Sequence, residues 1–386
     1  MALADLKSPM KSIASGKRLF KLRKRLARRM SLLALAGLAV CTFMLAMLVG
    51  GFILALANSW AAISAGQPLA SGLWSLAGVT LALCAIALAD VVFSAPPRPQ
   101  GIRLPPTAAA ELFRLLDTTA ARLRIAPIRA VYITDDMNAH IHQRPVWGVV
   151  GPLRTYLMIG LPLAHSLSPA QFAAVLAHEL AHVAAQRRGW SGVGGALRAW
   201  WARTLDRASA RFASISPWLD AKSLNLCLAM LRLARIEEFE ADAIAAELVG
   251  RGLMGEALVE VSLKSHFLER DYWPHVEAHR TGQAQPALRP YRDMALGVQV
   301  GFMRTVSDHA VAIEGTAQQR FAFHPSLQRR LSALGVPCRV PEDDPTSAAV
   351  HFLRPVLPSL AWVFDRAWGR AWRAQRRTRY EMHGDD

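Results

Sequence analysis

Between Met30 and Ala89 the chain has no Asp, Glu, Lys, Arg or His. So long an uncharged apolar stretch excludes an ordinary soluble domain, since a bilayer core needs about 20 apolar residues per helix. Two spans fit within it, Ser31 to Ala57 and Ala70 to Ala89, joined by an uncharged turn that contains Asn58, Gly66, Gln67 and Pro68. A secretory signal is excluded by the same length, because its apolar region runs to about 7 to 15 residues. Cysteine is scarce as well. Cys41, Cys84, Cys227 and Cys338 are the only four, without a C-x-x-C pair, which rules out a disulfide framework and suits a reducing, cytosolic setting.

Positive charge is plentiful and sits beside the apolar run. Residues 1 to 30 hold ten Lys/Arg against Asp5, and residues 351 to 386 hold seven Arg against four acids. No nucleic-acid motif accompanies this charge, so nucleic acid is not expected as a partner. Basic clusters flanking apolar spans are attracted to anionic headgroups and set topology. With basic residues on both outer flanks and none in the turn, both chain ends are expected in the cytoplasm, in a bacterial inner membrane. Asp90 closes the second span, a charge at bilayer centre costing about 2.5 to 3.5 kcal/mol.

Ala95 to Pro106 carries five prolines and reads as a stiff linker. Beyond it the pattern gives a helix over Ala108 to Leu123, a strand over Ala130 to Thr134, and a β-hairpin of Val146 to Val150 with Arg154 to Ile159 around Gly151-Pro152. The hairpin is either an ordinary packed sheet element or an exposed edge able to hold an extended peptide. Ser168-Pro169-Ala170-Gln171 supplies an N-cap, a Pro at the first helical position and a capping-box Gln.

The helix announced by that start carries Ala177-His178-Glu179-Leu180-Ala181-His182. Histidines four apart share one helix face and can bind a single Zn²⁺, with Glu179 beside them to take a proton from water. Zinc brings the pKa of its water from 15.7 to roughly 7, which makes this motif the core of a metal-assisted hydrolase. A catalytic zinc needs a third protein ligand. A second long helix, Leu224 to Leu248, closed by Gly250, offers Glu237, Glu238 and Glu240, with Asp242 four residues beyond Glu238. Spacing alone does not choose among the three glutamates. His275-Val-Glu277-Ala-His279 repeats the histidine spacing with the glutamate at the wrong offset, and reads as surface helix or loop.

His178-Glu179-x-x-His182 followed by Glu238-Phe239-x-Ala241-Asp242 resembles the M48 family of membrane zinc metallopeptidases, which includes the HtpX-like heat-shock proteases, the CAAX peptidases and their mitochondrial relatives. Asn138-Ala139 resembles the family's Asn-Ala element, and His324-Pro325 with Arg330 six residues on resembles its His-Pro motif and following Arg. The likeness runs from about Val131 to Leu334 in the family's order. It implies one Zn²⁺ per chain on His178, His182 and Glu238, with Asp242 steadying a ligand histidine. Glu179 and His324 would be catalytic, and Asn138, Ala139 and Arg330 would lie on the substrate side. The further pair of hydrophobic segments common in HtpX-like proteins is missing between the zinc helix and Glu238.

The expected fold is mainly α with a small β-sheet, an α+β zincin-like catalytic domain behind an N-terminal transmembrane helical hairpin. The expected boundaries are a basic cytoplasmic N-terminus over 1–29, two transmembrane helices over 30–94, the linker over 95–107, the peptidase domain over 108–340 and a Trp/Arg-rich extension over 341–386. That extension, from Leu357 to Tyr380, is either a helix on the membrane surface or one docked on the catalytic domain. The expected activity is endopeptidase cleavage of membrane or membrane-associated polypeptides in quality control. A zinc-bearing scaffold that holds clients without cutting them is the alternative from another class.

Overall fold

The computed structural model describes residues 8–146, 151–187, 191–281, 288–305, 324–341 and 346–383. They form two compact units, one of Met1–Pro97, Pro145–Pro152 and Gln186–Ile236, the other of Arg98–Arg144, Leu153–Ala185 and Glu237–Asp386.

The first unit is built on α1 (Ser8–Ser64) and α2 (Pro68–Val92). Both are long and apolar enough to cross a membrane, and together they fit a transmembrane hairpin. Small residues let them approach. Gly78 faces Ala55, and Gly51 faces Leu81. Ser59 Oγ bonds Ser75 Oγ at 2.8 Å and reaches Ser71 at 3.3 Å, the kind of polar contact that ties helices together in lipid. Following this antiparallel pairing outward brings Val92 to Cys41, where both are buried with Trp200. Asp90 is therefore level with Thr42 and Phe43 rather than with Ser31.

From there to Ser64 is about 33 Å of helix at 1.5 Å per residue, one hydrocarbon thickness. The stretch of α1 before Cys41 is covered on one side by α6 (Ser191–Arg211). Trp201 packs where Gly37 has no side chain, Arg198 Nη1 donates to Ser31 Oγ at 3.0 Å, and Trp200 Nε1 donates to the Val92 carbonyl at 2.9 Å. Leu205 of α6 joins Met30 and three leucines of α7 (Ser216–Val249), Leu219, Leu226 and Leu233, in a buried cluster.

The second unit holds a four-stranded mixed sheet of β1 (Ile102–Leu104), β2 (Ala130–Thr134), β3 (Ala139–Pro145) and β4 (Leu153–Gly160), in the order β1-β2-β4-β3. β1 runs antiparallel to β2, and β2 parallel to β4 with Val131 opposite Leu157 and Ile133 opposite Ile159. Gly160 N donates to Asn138 O and Val146 N to Pro152 O. Both bonds join residues whose numbers share one sum, as an antiparallel pair requires. The expected hairpin therefore exists, but its first strand is β3. Val146 is already in the turn, and 147–150 lie outside the described residues. Pattern reading favoured the apolar stretch over His-Ile-His-Gln-Arg because an edge strand needs little apolar surface.

The core forms where the sheet meets its helices. Val131, Ile133, Leu157 and Ile159 are fully buried together with Leu112 and Leu116 of α3 (Ala110–Arg122) and Phe172, Leu176 and Leu180 of α5 (Pro169–Arg187). Between β4 and α5 lies the short α4 (Leu161–Ser166). The rest of the unit is the end of α7, then α8 (Arg251–Phe267), α9 (Trp273–Thr281), α10 (Pro290–Leu296), α11 (Leu327–Leu334), α12 (Ala348–Leu353) and α13 (Leu357–His383). The structure is thus mainly helical with one small sheet, as the sequence implies.

Candidate metal centre

α5 starts where its sequence says it should. Gln171 N donates to Ser168 Oγ at 3.3 Å and Ser168 N to Gln171 Oε1 at 3.1 Å, the reciprocal bonds of a capping box. One stripe of this helix reads His178, Ala181, His182, Ala185, and one stripe of α7 reads Glu238, Ala241, Asp242, Ala245. Both follow the i, i+3, i+4, i+7 spacing of a single helix face. Ala181, Ala185, Ala241 and Ile244 are buried against one another, so methyl groups set the gap and the polar residues between them meet.

His178 Nε2 and His182 Nε2 are 3.2 Å apart, and Glu238 oxygens lie 3.5 Å from the first and 3.4 Å from the second. Ligands at 2.0 to 2.1 Å from a tetrahedral ion stand about 3.3 to 3.4 Å from each other. The two imidazole nitrogens and the Glu238 carboxylate, which turns Oε2 to His178 and Oε1 to His182, therefore stand about as far apart as the ligands of one such ion. Glu238 Oε2 is buried and makes no hydrogen bond of proper geometry, although His324 Nδ1 lies 2.9 Å away and Arg330 Nη2 3.4 Å away. Glu179 lies beside the histidines, and its carboxylate and their ring nitrogens are within 4.8 Å of one another. Of the three candidate glutamates on α7, Glu238 is the buried one, while Glu237 and Glu240 are partly exposed.

Behind these donors, Asp242 is 1% exposed. Its Oδ1 sits 3.0 Å from His178 Nδ1, and Arg330 grips both of its oxygens, Nη2 at 2.6 Å and Nε at 2.8 Å. Arg330 comes from α11, which starts after His324-Pro325-Ser326 and packs on α8 where Gly255 leaves room for Val336. Its guanidinium also lies 3.4 Å from His178 Nε2. Sequence likeness put Arg330 on the substrate side; its contacts in the structure are with Asp242, Glu238 and His178. The signal for such a role was present, an Arg one helical turn into α11 on its buried face, beside the exposed Arg329.

Electrostatics follow from this crowding. Three carboxylates, Glu179, Glu238 and Asp242, face one guanidinium, which, with the histidines in the neutral form that binds a metal, leaves two negative charges, the charge of one divalent cation. Burial pulls the His178 pKa down, but its contacts with Asp242 and Glu238 outweigh this and raise it to about 9. Burial would raise both Glu238 and Asp242. The neighbouring histidines hold Glu238 well below the usual carboxylate range, and Arg330 with His178 keeps Asp242 low. Glu179 goes the other way, raised by burial, as suits a proton acceptor working near neutrality.

The remaining expected residues lie apart from this cluster or at its mouth. His324 has a side chain 58% exposed. Asn138 is exposed at the start of β3, with its carbonyl tied to Gly160 N, and Ala139 is buried beside it. Gly160 makes this possible, because a Cβ there would overlap the Asp136 carbonyl oxygen. His275 and Glu277 are exposed on α9 with Val276 turned inward, so that stretch is a surface helix.

Comparison with curated proteins and with solved structures finds no match. The sequence model of peptidase family M48 matches residues 114–337, more than half of the chain, from within α3 to just past α11 and including every residue of the cluster. The chain belongs to peptidase family M48.

Proposed function

We propose that the protein is a membrane-bound zinc endopeptidase. The observation that carries this reading is the convergence of His178 Nε2, His182 Nε2 and the Glu238 carboxylate, with the nitrogens 3.2 Å apart and the nearer carboxylate oxygen 3.5 Å from the first (Oε2) and 3.4 Å from the second (Oε1). The donor set of two imidazoles and one carboxylate, with two uncompensated negative charges, suits one Zn²⁺ per chain. Such an ion supplies Lewis acidity to a scissile carbonyl and to an attacking water. Glu179 takes the proton of that water and hands it to the leaving amine nitrogen. Asp242 holds the His178 ring in place, and Arg330 holds Asp242. His324, exposed and close to the donors, is positioned to donate to the oxyanion that develops on the carbonyl. The edge strand β3, with Asn138 and Ala139 at its start, offers main-chain groups to an extended substrate.

The spans of the hairpin support the membrane reading. Trp60 and Trp74 lie near the turn between α1 and α2, and Trp200 packs level with Cys41 and Val92. From residue 41 to residue 60 is about 29 Å along a helix, the distance between two interfacial tryptophan belts. Between them the hairpin exposes Met47, Ile53, Leu54, Leu83 and Ile86, which only lipid would cover at low cost. Basic residues lie beyond the Trp200 level and none at the turn, so both ends face the cytosol of a bacterial inner membrane. The substrates are membrane or membrane-associated polypeptides, as quality control requires.

The test is zinc content and cleavage of a general unfolded substrate in detergent, wild type beside Glu179→Gln. One zinc per chain in both, with cutting lost only in the variant, is the expected result. Normal cutting by Glu179→Gln would refute the mechanism.

A further inference from the structure

The C-terminal helix α13 changes character along its length. Leu360, Ala361 and Phe364 are buried, Phe364 stacks against Tyr291 at 5.3 Å between centroids, and Asp365 Oδ1 accepts from Tyr291 N at 2.8 Å. Trp368, one turn on, is partly buried. After it the helix continues with exposed side chains. Arg370, Ala371, Arg373 and Ala374 are all exposed. The stripe that docks the helix, Leu360, Phe364 and Trp368, goes on through Ala371 with nothing described against it. The flanks beside that stripe are basic. From Arg366 to His383 the sequence holds six arginines against Glu381, and the Arg366 guanidinium lies over the exposed Trp362 ring at 5.1 Å from its centroid.

We propose that the distal two thirds of α13, from Arg366 onward, lie on an anionic lipid surface. An apolar stripe flanked by arginine and tryptophan is the composition of a helix that rests in the headgroup layer. Charge complementarity selects lipid over a protein groove, because five net positive charges on about five helical turns meet a negative leaflet surface more evenly than any single acidic side chain. The proposal rests on the bilayer reading of α1 and α2, since a chain anchored by that hairpin has its tail tethered to a membrane and at a raised effective concentration for it.

The experiment uses the full-length chain in lipid nanodiscs. Ala371→Cys, made with the exposed Cys84, Cys227 and Cys338 replaced by Ser, carries an environment-sensitive fluorophore on the stripe. In discs of phosphatidylcholine with phosphatidylglycerol, the label should shift to the blue and resist a neutral aqueous quencher. In discs of phosphatidylcholine alone, or in about 1 M salt, the protected fraction should fall at least about tenfold. The same loss is expected when Arg366, Arg370, Arg373, Arg376 and Arg377 are all changed to Gln. Equal exposure of the label in both lipids overturns the proposal. So does protection that survives both salt and the five substitutions, because the helix would then be packed on protein. Protection by short duplex DNA in place of anionic lipid overturns it too. A chain that fails to assemble into discs at all sinks the hairpin reading and this proposal with it, whereas discs that carry the chain with an exposed label sink the tail alone.

Discussion

Asp242→Asn is the substitution that most sharply separates the scaffold of the site from its metal chemistry. It keeps the shape of the side chain and removes one charge from a group 1% exposed. Arg330 loses the partner it holds at 2.6 and 2.8 Å. Breaking a buried pair on one side costs about 3 to 5 kcal/mol, because the remaining charge is stranded. Here Glu238 Oε2 stands 3.4 Å from the same guanidinium. At an effective dielectric constant near 20 that separation is worth about 5 kcal/mol of attraction, so Arg330 would turn to Glu238 and the net loss should fall at the low end, about 3 kcal/mol.

That rescue has a consequence for the metal. Glu238 would be engaged by a cation of the protein, and His178 Nδ1 would lose its carboxylate, so zinc affinity should drop by about 10- to 100-fold. Adding Arg330→Met to Asp242→Asn removes the stranded charge. The double variant should regain most of the stability but only part of the zinc affinity. Thermal unfolding of the chelator-treated protein in detergent reads the first quantity, and competition with a chromogenic chelator reads the second. Unchanged zinc affinity in Asp242→Asn would refute the positioning role, and a double variant no more stable than the single one would refute the charge argument.

Three further outcomes follow from the geometry. Glu179→Gln should bind zinc as the wild type does and lose about 10² to 10⁴ in peptide hydrolysis, read by metal analysis beside a fluorogenic assay; loss of zinc together with activity would place Glu179 among the ligands instead. His165, buried in α4 with both ring nitrogens unpartnered, has its pKa lowered by burial from 6.5 to about 4. The unfolded chain therefore takes this proton first as pH falls, and the stability contributed by the neutral ring, full above about pH 6.5 and lost by about pH 4, amounts to about 3 kcal/mol; His165→Leu should flatten that part of the pH profile of unfolding, and an unchanged profile would exclude His165 as its source. Gly160→Ala should destabilise the second unit by about 1 to 3 kcal/mol through overpacking and loosen the Asp136 to Asn138 loop, seen as faster amide exchange there; unaltered exchange would show that the loop is held by other means.

How far the sequence carries depends on whether the deciding contact is local. The start of α5 is legible because Ser168 and Gln171 satisfy each other's backbone within one turn, and the end of α7 because Gly250 adopts φ +94, a value that an L side chain resists. The first strand of the expected hairpin was set on 146–150, past β3, for the opposite reason. β3 is held from one side by β4 along an edge, so its side chains give no apolar alternation to read. The pairing of the two apolar helices is likewise not local. Charge content alone bounds Met30 to Ala89, and only the facing of Ser59 with Ser75 and of Ala55 with Gly78 fixes which turns of α1 stand opposite α2.

The metal centre divides along the same line. Histidines four apart are visible in any listing of the chain, but the choice of Glu238 over Glu237 and Glu240 depends on which face of α7 is turned inward, and that depends on the alanines. Ala181, Ala185 and Ala241 carry no chemistry and no strong periodic signal, yet they hold two helix backbones close enough for imidazole and carboxylate to stand 3.4 to 3.5 Å apart. Any longer side chain at these positions would widen the gap between the helices, and a widening of even 1 Å would take the carboxylate away from an ion whose ligands must stay about 3.3 to 3.4 Å apart. The motif states which atoms can bind; the methyl groups between them determine whether they meet.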